Sequence, residues 1–177
     1  MRTEYDEPDI RRVMQQLASQ VAAGFEKDSP LGIVGLRTRG EFVADRLAAM
    51  LRKEGFGRLG RGVLDVTFYR DDLSHSGAKP LVRPTDIQFD LNDHPVLLVD
   101  DVIFTGRSIR AALDALTDFG RPSAIRLAVL ADRGGRELPI QPDFVGLMLK
   151  DVPPDHRVNV RMKEIDGRDQ IVVEPRT

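Results

Sequence analysis

The stretch Val96-Leu-Leu-Val-Asp-Asp-Val-Ile-Phe-Thr-Gly-Arg-Ser108 decides the fold. Val96–Val99 is wholly apolar, as a strand buried on both faces of a parallel sheet must be. Asp100-Asp101 end it, and Thr105-Gly106 open a predicted helix that runs to Phe119, where Gly120 and Pro122 stop it. Such a strand-turn-helix gathers free backbone N–H groups and the positive end of a helix dipole at one point, which suits a phosphate. Thr105 and Ser108 add hydroxyl donors, and Gly106 permits close backbone approach. The two carboxylates can accept hydrogen bonds from vicinal sugar hydroxyls and help hold a hard cation, directly or through water. Local physics alone leaves two classes open: nucleotide chemistry, and other phosphate binding of the kind a signalling receiver performs with similar acids.

Working outward, the apolar spacing of Ile10, Val13, Met14, Leu17 and Val21 predicts a helix over about Pro8 to Lys27, with Asp6 as its N-cap. Leu31–Leu36 reads as a short buried strand, and Glu41–Glu54 as a second amphipathic helix. Gly55, Gly57, Gly60 and Gly62 read as turn punctuation before a strand over Val63–Tyr69. Residues 70–94 lose regularity, and a long irregular segment in a compact domain is expected to be a functional lid or a disordered stretch. Ala124–Ala131 is another apolar strand, with weaker candidates at Phe144–Leu149, Val158–Met162 and Ile171–Val173. Alternating strands and helices predict an α/β fold with a mostly parallel sheet covered on both faces, its ligand site outside the carboxyl ends of the strands.

Composition bounds the function. A chain of 177 residues fits one domain, expected to span residues 1–177. A net charge of −2 leaves no global basic field for nucleic acid, though a local patch stays open. With no cysteine, thiolate chemistry and disulfides are out, and three scattered histidines make a zinc site a poor fit. No apolar run approaches the roughly 20 residues of a membrane helix, and the N-terminus does not read as a signal peptide, so the cytoplasm is expected.

The central stretch resembles the PRPP-binding signature of the type I phosphoribosyltransferases: apolar strand, two acids, a short variable turn, Thr-Gly, then a basic or small residue and a hydroxyl. Further segments narrow the likeness. Gly35-Leu-Arg-Thr-Arg-Gly40 follows the first buried strand, and Asp65-Val-Thr-Phe-Tyr-Arg-Asp-Asp-Leu-Ser74 leads into the irregular stretch. Gly120-Arg-Pro-Ser123, Leu127-Ala-Val-Leu-Ala-Asp-Arg-Gly134 and Arg136-Glu-Leu-Pro-Ile140 complete the order. Together they resemble the PyrR family, pyrimidine operon attenuators and uracil phosphoribosyltransferases, from about Ile10 to Val173.

The resemblance implies a type I phosphoribosyltransferase fold with a small hood and a mobile loop, a magnesium cofactor, and transfer of ribose 5-phosphate from PRPP to uracil, giving UMP and pyrophosphate. By position in the motif, Asp100 and Asp101 hold the ribose hydroxyls with magnesium nearby, and Thr105, Gly106, Arg107 and Ser108 hold the 5′-phosphate. Thr38, Arg39 and Gly40 hold pyrophosphate; read without the family, Arg39 is a solvated loop charge. Arg70 stands at the loop hinge as a clamp on the leaving group, with Lys79 and Arg83 as further loop cations. Phe104 replaces the Asp that relatives acting on 6-oxopurines carry, and packs against a small base. Asp132 and Arg133 have two readings side by side: readers of the uracil edge, or a structural turn pair.

The family's better-known members also bind a leader RNA. Gln15, Gln16, Ser19 and Gly135 stand where the resemblance leads one to expect basic contacts, which leaves Arg11, Arg12, Arg136 and Arg168 as the candidate RNA patch. Three functions therefore remain in play: a uracil phosphoribosyltransferase, an RNA-binding attenuator with incidental catalysis, and a phosphoribosyltransferase for another base. Family members assemble, so a homodimer or larger homo-oligomer is expected.

Overall fold

The computed structural model describes residues 3–69 and 84–176. In chain order the elements are β1 (Thr3–Tyr5), α1 (Glu7–Gly24), β2 (Leu31–Leu36), α2 (Gly40–Lys53), β3 (Leu59–Leu64), β4 (Asp86–Ile87), β5 (Pro95–Ile103), α3 (Arg107–Leu116), β6 (Ala124–Asp132), β7 (Phe144–Met148), β8 (His156–Arg161), α4 (Lys163–Asp166) and β9 (Gln170–Pro175). A six-stranded sheet runs β4-β3-β2-β5-β6-β7, parallel throughout except for antiparallel β4. A second, antiparallel sheet of three strands, β1-β9-β8, forms the hood.

Strand alternation sorts the core. On β5, Leu97 and Val99 pack with the apolar faces of α1 and α2, while Val96 and Leu98 pack with Ile109, Ala112 and Leu116 of α3. The hood continues the first of these cores through Val160, Met162, Ile171 and Val173. Helix α1 starts where the sequence predicts. Asp6 accepts from the Asp9 N–H at 3.2 Å, Asp9 returns the bond to the Asp6 N–H at 3.2 Å, and Pro8 stands where a missing N–H does no harm.

Several expectations need correcting. Gly60 and Gly62 are not turn residues but lie inside β3, because the Phe89 ring crosses the sheet there: a Cβ would fall 2.2 Å from that ring at Gly32 and 2.5 Å at Gly60. Thr67–Tyr69, expected as strand, is a short 3-10 turn. Asp100 and Asp101 do not end β5 but lie within it, since β6 pairs alongside as far as Ile103↔Asp132. The candidates near Val158–Met162 and Ile171–Val173 build the hood rather than the main sheet. Arg70, Asp71, Asp72, Lys79, Arg83 and the expected lid over most of residues 70–84 lie outside the described residues.

A further close approach is between backbones. A Cβ on Gly35 would sit 2.5 Å from the Glu41 Cα and 2.7 Å from the Gly40 carbonyl oxygen, so α2 lies directly on β2. Neither neighbour is a flexible side chain that can move aside. Gly35→Ala is expected to lower unfolding stability by about 1–3 kcal/mol through overpacking, read as a lower midpoint in thermal or urea unfolding. An unchanged midpoint would show that this contact gives way freely.

Candidate active site

Two turns meet at the carboxyl end of the sheet. The first follows β2, where Arg37-Thr38-Arg39 lead into α2 at Gly40, with a cis peptide between Arg37 and Thr38. Gly40 is pressed against β5: a Cβ there would lie 2.7 Å from the Val99 carbonyl oxygen and 3.3 Å from Asp100 Oδ1. The second turn follows β5. Gly106 takes a left-handed φ of 92°, which places Arg107 at the start of α3. Among the described residues no side chain caps this helix at its N-cap, although Thr105 Oγ1 accepts the Arg107 N–H at 3.3 Å. Its first turn lines a cavity of about 270 Å³ walled by Asp100 and residues 102–109, and the N–H groups of a helix start suit an anion.

The pleat of β5 divides the two acids. Asp100 lines the cavity on the α3 side, whereas Asp101 lies on the α2 side and donates its backbone N–H to Asp100 Oδ1 at 2.9 Å. Asp101 keeps a partial opening to solvent, but protein surrounds its carboxyl, and that burial pushes its pKa up. The hydrogen bond to Asp100 and the nearby charge of Arg39 work in the opposite direction without cancelling it. Arg39 is not a loose loop charge: its Nε and Nη2 donate to Asp166 at 3.2 and 3.0 Å. Thr38 is exposed beside it.

The far wall is built round Arg136. Its guanidinium donates to both carboxylate oxygens of Asp132, at 3.0 and 2.5 Å, to the Phe104 carbonyl at 3.0 Å and to the Ile140 carbonyl at 2.9 Å. Only 12% of the Arg136 side chain and 5% of the Asp132 side chain are exposed. Of the two readings of Asp132, these contacts favour the structural turn pair, since Arg136 and the Gly134 N–H at 2.8 Å bond to its oxygens. They also correct the expectation for Arg136, which is withdrawn from the RNA patch. Leu138 and Ile140 then lie 3.5 Å from where a Gly106 Cβ would be, so this segment also braces the turn before α3.

Arg133 behaves differently. It is buried to 8% exposure, its guanidinium stacks 3.9 Å above the Phe104 ring, and Nη1 donates to the His156 carbonyl of the hood at 3.0 Å. Its Nε has no hydrogen-bond partner among the described residues. Burial, with the neighbouring Arg176 charge, lowers its pKa. Gly135 closes the other side of Phe104, where a Cβ would come within 2.5 Å of the ring.

Sequence reasoning missed Arg37. It donates to Glu41 at 3.0 Å and to the Pro84 carbonyl at 3.2 Å, and its buried Nε is unpartnered among the described residues. Its place in the same turn as Arg39 was the available signal. The remaining RNA candidates are exposed. Arg11 pairs with Glu7 at 3.5 Å, Arg12 with Asp9, and Gln15, Gln16 and Ser19 share the outer face of α1. Arg168 is exposed after α4.

Among the described residues no group of three or more His, Cys, Asp or Glu side chains could enclose a metal. Asp100 and Asp101 nevertheless fit magnesium, which is commonly held by one or two carboxylates together with substrate phosphate oxygens and water. No helix among the described residues is long and apolar enough to cross a membrane.

Comparison with known proteins agrees with this geometry. The phosphoribosyl transferase domain family matches residues 2–161. A "Bifunctional protein PyrR" of Roseiflexus sp. (strain RS-1) is 52% identical over 92% of this chain and 88% of its own length. Another, from Thermus aquaticus, is 46% identical over 93% of this chain and 90% of its own length. Among solved structures, a hypoxanthine phosphoribosyltransferase from Trypanosoma cruzi superposes with a TM-score of 0.69 at 21% identity, covering 96% of this chain and 93% of the other, a likeness of fold.

The Asp132–Arg136 pair yields a stability test. Arg136→Ala leaves a buried carboxylate uncompensated and is expected to cost about 3–5 kcal/mol, which thermal unfolding reads directly. Removing both partners in Asp132→Ala/Arg136→Ala is expected to cost less than the sum of the single variants. An Arg136→Ala protein that melts with wild type would refute the keystone role.

Proposed function

The chain belongs to the phosphoribosyl transferase family, among its PyrR members, and we propose that it transfers ribose 5-phosphate from PRPP to uracil. The observation that carries this reading is the double contact of Asp100. It walls the uncapped α3 turn on one side and meets the Gly40 backbone on the other. A substrate carrying a phosphate at one end and a pyrophosphate at the other, with a diol between, fits two anion-binding turns separated by carboxylates.

In this reading residues 105–108 bind the 5′-phosphate, Asp100 and Asp101 take the ribose hydroxyls, and Thr38, Arg39 and Gly40 hold the pyrophosphate. The C1′–O bond to pyrophosphate breaks as uracil N1 bonds to C1′. The N1 proton leaves to solvent and pyrophosphate departs with its electron pair. Positive charge develops on the sugar while negative charge develops on the leaving group. Preorganised carboxylates and donors stabilise the two at opposite ends, more strongly once water is excluded. When bound, magnesium would be held by Asp100 and Asp101, directly or through water, and would supply neutralising charge for the leaving group. Arg70 is kept as the loop cation for the same group.

Phe104 and Arg133 form the base side. The Nε of Arg133, without a hydrogen-bond partner among the described residues, is a donor suited to a base carbonyl, which favours Arg133 over Asp132, already bonded to Arg136, as the edge reader. With no acid at position 104, nothing there is arranged to exchange a proton with a purine.

RNA attenuation is the second function proposed, with Arg11, Arg12 and Arg168 on exposed surface as its cationic contacts. Each phosphate contact missing, relative to members with more basic residues, lowers the slope of log affinity against log salt by roughly 0.7–0.9. Binding to a pyrimidine leader hairpin is therefore expected to be weak and shallow in its salt dependence, as read by a salt titration with and without UMP. Tight, UMP-enhanced binding at physiological salt would overturn this. We place the protein in the cytoplasm, as a single domain that forms at least a dimer.

The catalytic reading is tested by incubating the protein with PRPP, magnesium and each common nucleobase. UMP from uracil is expected, with hypoxanthine and guanine giving little product. Asp100→Asn and Asp101→Asn are each expected to fold and to lose about 2–4 kcal/mol of transition-state stabilisation, roughly 30- to 1000-fold in rate. Asp101→Asn should in addition melt no lower than wild type, since it removes a carboxyl whose ionisation burial opposes. Purine nucleotides as the main product, or wild-type kinetics in both variants, would sink the assignment.

A further inference from the structure

We propose that Asp166 is a positioning residue of the transfer reaction, acting through Arg39 to fix the guanidinium that meets pyrophosphate. The inference rests on the reading of residues 38–40 as the pyrophosphate turn. It adds the hood to that turn: Asp166 belongs to α4, between the two hood strands β8 and β9.

The geometry is that of a locked side chain holding another. Asp166 Oδ2 accepts the Met162 backbone N–H at 2.8 Å, so the carboxylate is itself fixed before it meets a cation. Nε and Nη2 of Arg39 then donate to Oδ2 and Oδ1 at 3.2 and 3.0 Å. Two bonds to one carboxylate set both the position and the plane of a guanidinium, which one bond to a lysine-like cation cannot do. Nη1 has no hydrogen bond among the described residues and remains for an anion, on a side chain that is 35% exposed. The bond from Arg39 holds Asp166 below the usual carboxylate range, so its carboxylate stays ionised at neutral pH. Arg39 also influences Asp101, placing its charge between the hood and the acid pair.

A second tether on the same helix supplies the control. Arg46 follows Arg39 by two helical turns and so lies on the same face of α2. It donates to Glu164 at 2.8 and 2.7 Å and to Asp169 at 2.8 and 2.7 Å. Residues 162–169 thus grip α2 at two places. The Arg46 place lies well along the helix, where it can only hold hood to core. The Arg39 place is at the turn itself. A purely structural hood contact makes the two grips equivalent for substrate binding, whereas a positioning role makes them different.

The test measures PRPP binding, with magnesium and without base, by calorimetry on the full chain. Asp166→Asn keeps the acceptor for the Met162 N–H but loses the charge that holds Arg39. It is expected to weaken PRPP about tenfold, the worth of one charge-assisted hydrogen bond. Glu164→Gln is expected to stay within about twofold of wild type, as a change at a remote surface pair should. Arg39→Ala is expected to weaken PRPP more strongly, and Asp166→Asn is expected to add nothing in the Arg39→Ala background. In turnover assays the KM for PRPP should rise in Asp166→Asn while the KM for uracil holds. The inference is overturned if Asp166→Asn binds PRPP as well as or better than wild type. Equal losses in Asp166→Asn and Glu164→Gln would overturn it too, as would additive losses in the double variant. If Arg39→Ala itself binds like wild type, the pyrophosphate assignment of residues 38–40 falls and takes the inference with it. Loss in Arg39→Ala beside a silent Asp166→Asn sinks the inference alone.

Discussion

Everything at the carboxyl end of the sheet depends on the backbone of α2 lying on β2 and β5 with no side chain between. Gly35 admits the Glu41 Cα and the Gly40 carbonyl, while Gly40 in turn admits the Val99 carbonyl and the Asp100 Cα. Two glycines facing each other across an element boundary bring a turn within hydrogen-bonding reach of a strand that would otherwise be held off by at least one methyl layer. That distance is what allows Arg39 to act electrostatically on Asp101 and also to reach Asp166 in the hood. Close packing here is the means by which a core contact becomes a polar site.

The acid pair shows how secondary structure divides labour between identical side chains. Because both lie inside β5, the pleat sends Asp100 toward the α3 turn and Asp101 toward α2. One carboxylate lines the α3 turn and the other lies toward the Arg39 turn, though they are adjacent in the chain. Burial raises the pKa of Asp101, and the charge of Arg39 works against that rise without cancelling it.

Much of this was legible in the sequence, for physical reasons that can be named. The Asp6 capping box, the apolar face of α1 and the buried runs of β2, β5 and β6 follow from local periodicity, and they appear within a few residues of expectation. The strand-acids-turn stretch lines the cavity at the start of α3, because strand, turn and helix follow one another locally in sequence. Three things were not legible. Gly60 and Gly62 read as breakers because the side chains that crowd them, Phe89 at Gly60 and Val34 and Ile87 at Gly62, come from other segments. Asp132 reads equally as a ligand contact or a turn pair, and Arg136 as an RNA contact, because a spacing of four residues outside a helix does not by itself say that the chain turns back to pair them. The grip of Glu164, Asp166 and Asp169 on α2 joins residues more than a hundred positions apart, and only the tertiary fold brings them into register.

The Phe104 ring fills the space over Gly135 and carries Arg133 on its surface. Positions 104 and 135 therefore share one volume, and neither can be enlarged independently of the other. A side chain at 135 would need the ring at 104 to turn away and would also have to adopt a left-handed φ of 78°, which L side chains rarely take. The wall formed by Phe104, Arg133 and Gly135 thus has fewer adjustable parts than its residue count suggests. A smaller side chain at 104 relieves the crowding at 135 but not its backbone, so two independent constraints hold glycine there.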